Sequence, residues 1–504
     1  MALYVRWRYL NIPFERDEGE YAYGAQVILG GGELYHNVYS LKWPGIFLIY
    51  SMIIGALGSS IWAVHLGLLM VNVATAYLIY RTLVRVVASI PALMGAVSFL
   101  VFMIQKELQG IFANIEHFVV FFIALAVYKL IVYWENNQQR DLLRAGIFCG
   151  LALITKQQAI GFILAILVSI LFEHFNDRRE WRGMLAKVTV LGFGVVAPVL
   201  MVFGWIALFD DFQRFWFHTW IYATEYVGIV SLEDGWFELR KRIVENFTIN
   251  PWLWGTAITG GLFIYRSQIE KPIRFLLIAL FIGAFMATSF GLYYRPHYVM
   301  FMPLVLSLLI GVFYDIIYRI RPWIPVALFV IAIIYYGYKD SAYLFRWSPQ
   351  QAVSKIYHWE PFAATVAIGE HLRDISQADD QILVVGSEPQ INFYAGKKTP
   401  TGYLYAYPLV EDQKYSEQMF EEWLSEATET SPQFIVAMGE WTTYAKWNEG
   451  FYKIWNASQA YISDGYSLIG IITVAQDNSY TEKWGSDLKV PEKIEGQLFV
   501  YKKR

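Results

Sequence analysis

Cysteine and charge, both ordinary resources of soluble proteins, are scarce in this chain. The single cysteine, Cys149, lies in an apolar segment, which excludes an intrachain disulfide and any cysteine-rich zinc site. Only 16% of the 504 residues are charged, against about 25% in typical soluble proteins. The net charge of −3 contains no basic block, so nucleic acid is not an expected partner. Residues 1–16 (MALYVRWRYLNIPFER) lack the continuous apolar core of a signal peptide. No Gly-rich phosphate loop is placed between a strand and a helix, which argues against nucleotide sugars as substrates. Internal repeats and low-complexity linkers are also missing.

What the chain has in abundance is apolar and aromatic surface. Hydrophobic residues make up 56% and aromatics 18%, with 19 Trp and 35 Tyr, and mean hydropathy is +0.36. This composition fits a polytopic helical membrane protein with interfacial aromatic belts. Runs long enough for an apolar core of roughly 30 Å are expected at 60–82, 87–104, 117–134, 187–209, 273–291, 298–316 and 321–338. Shorter candidates at 142–155, 158–174 and 251–266 bring the total to about ten spans. The run 44–58, opened by Pro44, is expected to lie along the interface.

Basic residues orient these spans. Arg81 and Arg85, Arg140 and Arg144, Arg178, Arg179, Arg182 and Lys187, Arg266, Lys271 and Arg274, and Arg319 and Arg321 occupy alternate connections. The positive-inside rule makes those connections cytoplasmic. The opposite set holds the Asp17 segment, 105–116, the turn at Lys156, 292–297 and the long 210–250 connection. The expected location is a plasma (inner) membrane, with both chain ends outside. Residues 1–338 are read as the transmembrane domain, with an acidic first outer loop over 1–43. Residues 339–504 read as an extracytoplasmic α/β domain. Strands are expected at Gln381–Glu388, Gln433–Glu440, Tyr466–Gln476 and Gln497–Tyr501, alternating with helices such as 361–375 and 415–428, in a partly parallel sheet.

Several unusual polar residues fall on the outer side. Asp17, Glu18 and Glu20 place three carboxylates in four positions, and acids set against a membrane usually mark chemistry. Lys42 stands before the interfacial helix, Glu116 and His117 at the mouth of a span, and Lys156 between two apolar runs. Arg295 and His297 sit between two long spans. Each also has an ordinary role: a lysine snorkels to headgroups, an acid near a helix start favours the dipole, and an outer turn takes a cation as an anchor. Carboxylates and cations together at one membrane surface suit a phosphate-bearing lipid with a hydroxyl acceptor beside it. The same charges suit a transporter or flippase of a lipid-linked glycan, although the paired halves of many transporters are not visible. A third reading is a non-catalytic membrane protein whose tail binds partners.

The pattern DExxYxxxA…G…Y…KxPG, from Asp17 through Tyr21, Gly30–Gly32 and Lys42–Gly45, resembles the GT-C superfamily of membrane glycosyltransferases that use lipid-phosphate sugars. The likeness is to family 39-type bacterial members, relatives of protein O-mannosyltransferases and of the aminoarabinose–lipid A transferase. Leu153-Ile154-Thr155-Lys156, the His297-Tyr298 pair before Pro303, and Val385-Gly386-Ser387-Glu388-Pro389 through Tyr394-Ala395-Gly396 follow in the family's order. Trp43 stands where the family usually has a second proline. The resemblance also implies a transmembrane helix before the acidic loop, which residues 1–16 do not supply; that points to a late start or a truncation.

The resemblance implies an inverting glycosyltransferase moving a sugar from a polyprenyl-phosphate donor to a lipid, glycan or protein acceptor. In it Asp17 maps onto the base, Glu18 onto the acid that follows, and Lys42 onto the basic residue before proline. Lys156, Arg295 and His297 are the further candidates for the donor phosphate. No cofactor is required by the sequence. Some relatives hold a divalent metal through a Glu and a His of outer loops, for which Glu116 and His218 are the candidate pair; the same two residues are candidates for binding the acceptor. One in-line displacement needs a single base, whereas a double displacement needs a carboxylate nucleophile.

Overall fold

The computed structural model describes all residues except 177–180, 359, 440–447 and 477–478. Arg178 and Arg179, two of the basic residues used above, lie outside the described residues.

Each apolar run expected to span forms a helix: Ile61–Leu83, Ser89–Phe102, Ile115–Asn136, Gln139–Thr155, Ile160–Asn176, Trp181–Phe209, Pro251–Leu262, Lys271–Ser289, Pro303–Tyr318 and Trp323–Lys339. Among the described residues, five helical segments are long and apolar enough to cross a membrane, including Trp181–Phe209 with 29 residues. Close approach of the bundle helices relies on small residues, as expected where apolar burial alone does not favour helix association. Gly146 packs on the backbone at Leu191 and Gly194, and Gly161 on Gly283.

The acidic segment is the main departure from expectation. In place of the expected loop, Arg16–Leu29 is a helix of 14 residues. Local sequence explains it. Glu15 caps the helix in a reciprocal capping box with Glu18, and carboxylates in the first turn favour the positive helix end. Tyr21, Ala22 and Ala25 are fully buried, packing against the Gly45–Leu57 helix through Tyr21–Phe47 and Tyr21–Tyr50 ring contacts.

The C-terminal domain carries a five-stranded sheet in the order β1–β2–β5–β3–β4, with β1 (Ile382–Val385), β2 (Phe434–Met438), β3 (Tyr466–Val474), β4 (Tyr480–Trp484) and β5 (Gln497–Lys503). β1 and β2 are parallel; the other pairings are antiparallel. The four expected strands are present, and β4 is an addition: Tyr-Thr-Glu-Lys-Trp is mostly exposed, so it has no apolar run to announce it. Both sheet faces are covered. Ile435, Ala437 and Phe499 pack with the Ser416–Glu429 helix, while Phe434, Val436 and Val500 pack with the Phe362–Ile375 helix. Double coverage makes Phe434–Met438 buried at every position, which is why it reads as a continuous apolar run.

This domain is docked on the acidic helix. Arg16 pairs with Glu388 at 2.9 Å and Glu360 at 3.1 Å, and its Nε donates to the Ser387 carbonyl. The Phe14 amide donates to Tyr394 Oη at 2.9 Å. A Cβ on Gly19 would stand 2.7 Å from the Gln390 amide nitrogen, so only glycine lets the two units meet so closely.

Candidate active site

Asp17 lies in the first turn of the Arg16–Leu29 helix, with Glu20 one turn further on. Lys42, 25 residues away in sequence, donates from Nζ to Asp17 Oδ1 at 2.8 Å and also pairs with Glu20. A second close approach sets the position of Lys42. Gly45 packs so tightly on the end of the Gln139–Thr155 helix that a Cβ would lie 2.6 Å from the Ile154 carbonyl oxygen. The glycine of Lys-x-Pro-Gly therefore brings Lys42 beside the Thr155–Lys156 turn.

Asp17, Lys42, Lys156, Arg295 and His297 line one cavity of about 430 Å³. Its apolar side is formed by Leu41, Ile160, Trp220, Val227 and Phe290. Lys156 Nζ donates to Glu116 at 2.5 Å and lies 4.3 Å from the centre of the Tyr298 ring. Arg295 Nη2 donates to Tyr226 Oη at 2.8 Å. His297 Nδ1 faces Gln109 Oε1 at 3.1 Å.

The electrostatics sort these groups by role. Burial raises the Asp17 carboxyl, but Lys42, with Arg295, outweighs it and holds the group well below the usual carboxylate range. Asp17 is therefore an anion over the whole neutral range. Burial pulls the His297 imidazole down to about 4, so near pH 7 it is neutral and offers hydrogen bonds without positive charge.

Glu18 sits elsewhere. Its carboxylate is fully buried, faces His65 Nε2 at 2.9 Å, and accepts from the Ala113 amide at 2.5 Å and the Glu15 amide at 3.2 Å. It ties the acidic helix to two neighbouring segments, and it does not line the cavity. Glu18→Gln puts an amide NH₂ where the carboxylate accepts a hydrogen bond. The expected cost is about 1–3 kcal/mol, read as a lower melting temperature in detergent, with turnover per folded molecule nearly unchanged. Turnover lost at unchanged melting temperature would place Glu18 in the chemistry.

Glu116 and His218 do not share a site. Glu116 is taken by Lys156, whereas the His218 ring stacks on Tyr39 with centroids 5.0 Å apart. Burial, helped by Arg214, pulls His218 down to about 3. Among the described residues no group of three or more His, Cys, Asp and Glu is arranged to hold a metal ion.

Several site residues escaped the sequence reading. In the sequence Glu20 is one carboxylate of the acidic run; in the structure its carboxylate meets Lys42, Ser40 and Tyr405. Tyr405 and Tyr407 come from the C-terminal domain, and their rings stack with centroids 5.1 Å apart. The only local signal was the tyrosine-rich run Tyr403–Tyr407; Tyr405 ends an irregular stretch and Tyr407 opens a short 3-10 helix, Tyr407–Leu409, so no strand or helix periodicity marks the pair.

Glu411, a few residues further on, lies 3.4 Å from Tyr222 Oη. Burial pushes its carboxyl up to about 7 against the pull of Arg295. The folded protein thus holds this proton to a higher pH than the unfolded chain does. Its stabilising contribution is full below the ordinary value of 4.5 and is lost as pH rises through about 7. At about 1.4 kcal/mol per pKa unit, Glu411→Gln should gain stability over the wild type at pH 8 and little at pH 5. Thermal unfolding at the two pH values checks this; an equal effect at both would mean that Glu411 is ionised throughout.

Comparison with known proteins agrees with this architecture. Residues 42–202, from Lys42 past Lys156, match the family described as dolichyl-phosphate-mannose-protein mannosyltransferase. ArnT from Cupriavidus metallidurans, solved bound to undecaprenyl phosphate, superposes with a TM-score of 0.62 at 14% identity, covering 97% of this chain and 98% of that one. The archaeal oligosaccharyltransferase AglB from Archaeoglobus fulgidus, in complex with an inhibitory peptide and a dolichol-phosphate, gives 0.51 at 12% identity, with 97% and 74% covered. The same organism's oligosaccharyltransferase in complex with Zn and sulfate gives 0.52 at 14%, with 95% and 72% covered. No curated protein matches the chain by sequence. The fold is thus that of the GT-C membrane enzymes, with a small C-terminal sheet domain. The resemblance to relatives of protein O-mannosyltransferases and of the aminoarabinose transferase stands.

Proposed function

We propose that the protein is an inverting glycosyltransferase that moves a sugar from a polyprenyl-phosphate donor to a hydroxyl acceptor at the outer face of the plasma membrane. The observation that carries this reading is the meeting of Asp17, Lys42, Lys156, Arg295 and His297, drawn from distant parts of the chain, in one cavity with an apolar side. ArnT and AglB, which share the fold, were solved with undecaprenyl phosphate and a dolichol-phosphate.

The chemistry follows from the arrangement. The phosphate of the donor enters between Lys42, Arg295 and Lys156, and the apolar side takes the first prenyl units. Cleavage of the anomeric C–O bond leaves negative charge on the lipid phosphate, which fixed cations stabilise. Asp17 takes the proton of the acceptor hydroxyl as that oxygen attacks the opposite face of the sugar. While Lys42 is paired with it, Asp17 is weakly basic. Once the phosphate draws Lys42 away, the carboxylate loses its nearest cation and its affinity for a proton rises.

Purified protein incubated with a panel of radiolabelled polyprenyl-phosphate sugars should release lipid phosphate from at least one member in the presence of acceptor. Failure with every donor overturns the reading. The outer-face assignment rests on the basic connections; reporter fusions after Tyr338 and Arg504 should be active only as periplasmic-type reporters, and cytoplasmic activity at both sites overturns the orientation.

A further inference from the structure

The tyrosine contributed by the C-terminal domain occupies a telling position. Tyr405 Oη lies 2.6 Å from Glu20 Oε2 and 3.3 Å from Asp17 Oδ1, so one hydroxyl stands between two carboxylates. Both carboxylates hold the same Lys42 ammonium, and the Tyr405 ring lies 5.5 Å from that nitrogen. Asp17 lines the large cavity, whereas Glu20 and Tyr405 line a second, small hollow of about 30 Å³. Leu41, Lys42 and Tyr407 border both hollows. A polar hollow of this size has room for a water molecule. The Ser40 hydroxyl donates to the other oxygen of Glu20, which leaves Oε2 facing Tyr405 and Lys42.

We propose that Tyr405 is a positioning residue that relays the acceptor proton from Asp17 to Glu20 and so clears the base for the next turnover. The proposal rests on the glycosyltransferase reading, in which Asp17 accepts that proton. The step balances. As the acceptor oxygen bonds to the anomeric carbon and the carbon–phosphate-oxygen bond breaks, the acceptor proton moves to Asp17. Protonated Asp17 then donates to Tyr405 Oη while Tyr405 gives its own proton to Glu20, leaving Asp17 anionic, the phenol intact and Glu20 neutral. Glu20 loses the proton to water in the small hollow. The 3.3 Å contact is long for an O–H···O bond; hydrogen bonds of this kind commonly tighten only when substrate is bound. Departure of Lys42 toward the phosphate removes the ammonium that both carboxylates now share. A physical consequence is that the C-terminal domain is part of the active site and not merely an attachment to it.

The test compares wild type, Tyr405→Phe and Glu20→Gln in full-length protein with an active donor from the panel. Phenylalanine keeps the ring beside Lys42 and removes only the hydroxyl. Tyr405→Phe should lower steady-state turnover by about 10- to 100-fold while a single turnover from pre-bound donor proceeds within about threefold of wild type. The solvent deuterium isotope effect on steady-state turnover should change, and undecaprenyl phosphate should bind with unaltered affinity. Glu20→Gln should reproduce this separation of first turnover from later ones. Steady-state turnover and isotope effect unchanged in Tyr405→Phe overturn the relay alone. Equal loss in the first and later turnovers also overturns it, since that marks a role in building the site. A wild-type protein inactive with every donor overturns the functional reading, and the relay falls with it.

Discussion

Asp17→Asn is expected to reduce sugar transfer by about 10²–10⁴-fold, the usual contribution of a general base, while donor binding stays largely intact. Asparagine keeps the size of the side chain and one acceptor oxygen for Lys42, which now approaches within 2.8 Å, but it cannot take a proton. Because Asp17 is held ionised far below neutrality, the wild-type rate should show no acidic limb from this group near pH 6–8 in the free enzyme. Measured transfer and equilibrium binding of undecaprenyl phosphate separate the two effects. Near-normal transfer by Asp17→Asn would remove it as the base. If binding falls as far as turnover, Asp17 serves to place Lys42 and does not handle the proton.

Lys42→Met should have the second largest effect, and it should strike both binding and turnover. A charge-assisted contact is worth about 1.5–3 kcal/mol, roughly ten- to a hundredfold in donor affinity. The loss goes further than the phosphate. Removing the ammonium leaves Asp17 and Glu20 facing one another without a shared cation, and like charges at close range raise carboxyl pKa values. One of them then holds a proton near neutral pH, and an acidic limb should enter the pH–rate profile. Lys156→Met should be milder, because Lys156 is already paired with Glu116 and touches neither Asp17 nor Glu20 through a hydrogen bond. Equal defects in the two variants, with no change in pH profile for Lys42→Met, would contradict the coupling seen in the structure.

Along the chain, the length of the apolar runs was enough to place each bundle helix, because long runs such as Ile115–Asn136 can satisfy their backbone groups in a membrane only as helices. The sheet was legible for the same kind of reason: strands covered on both faces, such as Phe434–Met438, carry uninterrupted apolar residues. The edge strand Tyr480–Trp484 was not, since it hides little surface and its sequence resembles any polar connection. Local pattern also contained the capping box of Glu15 and Glu18, which marks the acidic segment as a helix start.

The sequence by itself determined the class of the protein and most of its ionisable vocabulary: Asp17, Lys42, Lys156, Arg295 and His297 are conspicuous because charge near apolar runs is costly and rare. Tertiary structure alone decided which of the acids work together. Residues 17, 18 and 20 are neighbours in sequence, but a helix turns each by about 100°. Glu18 is thereby directed to His65 and the Ala113 amide, while Asp17 and Glu20, three apart, share a face and a single lysine. Tyr405 joins them only because Gly19 lets the C-terminal domain approach the acidic helix. A contact across 385 residues of chain leaves no mark in local periodicity, since it depends on how two separately packed units meet.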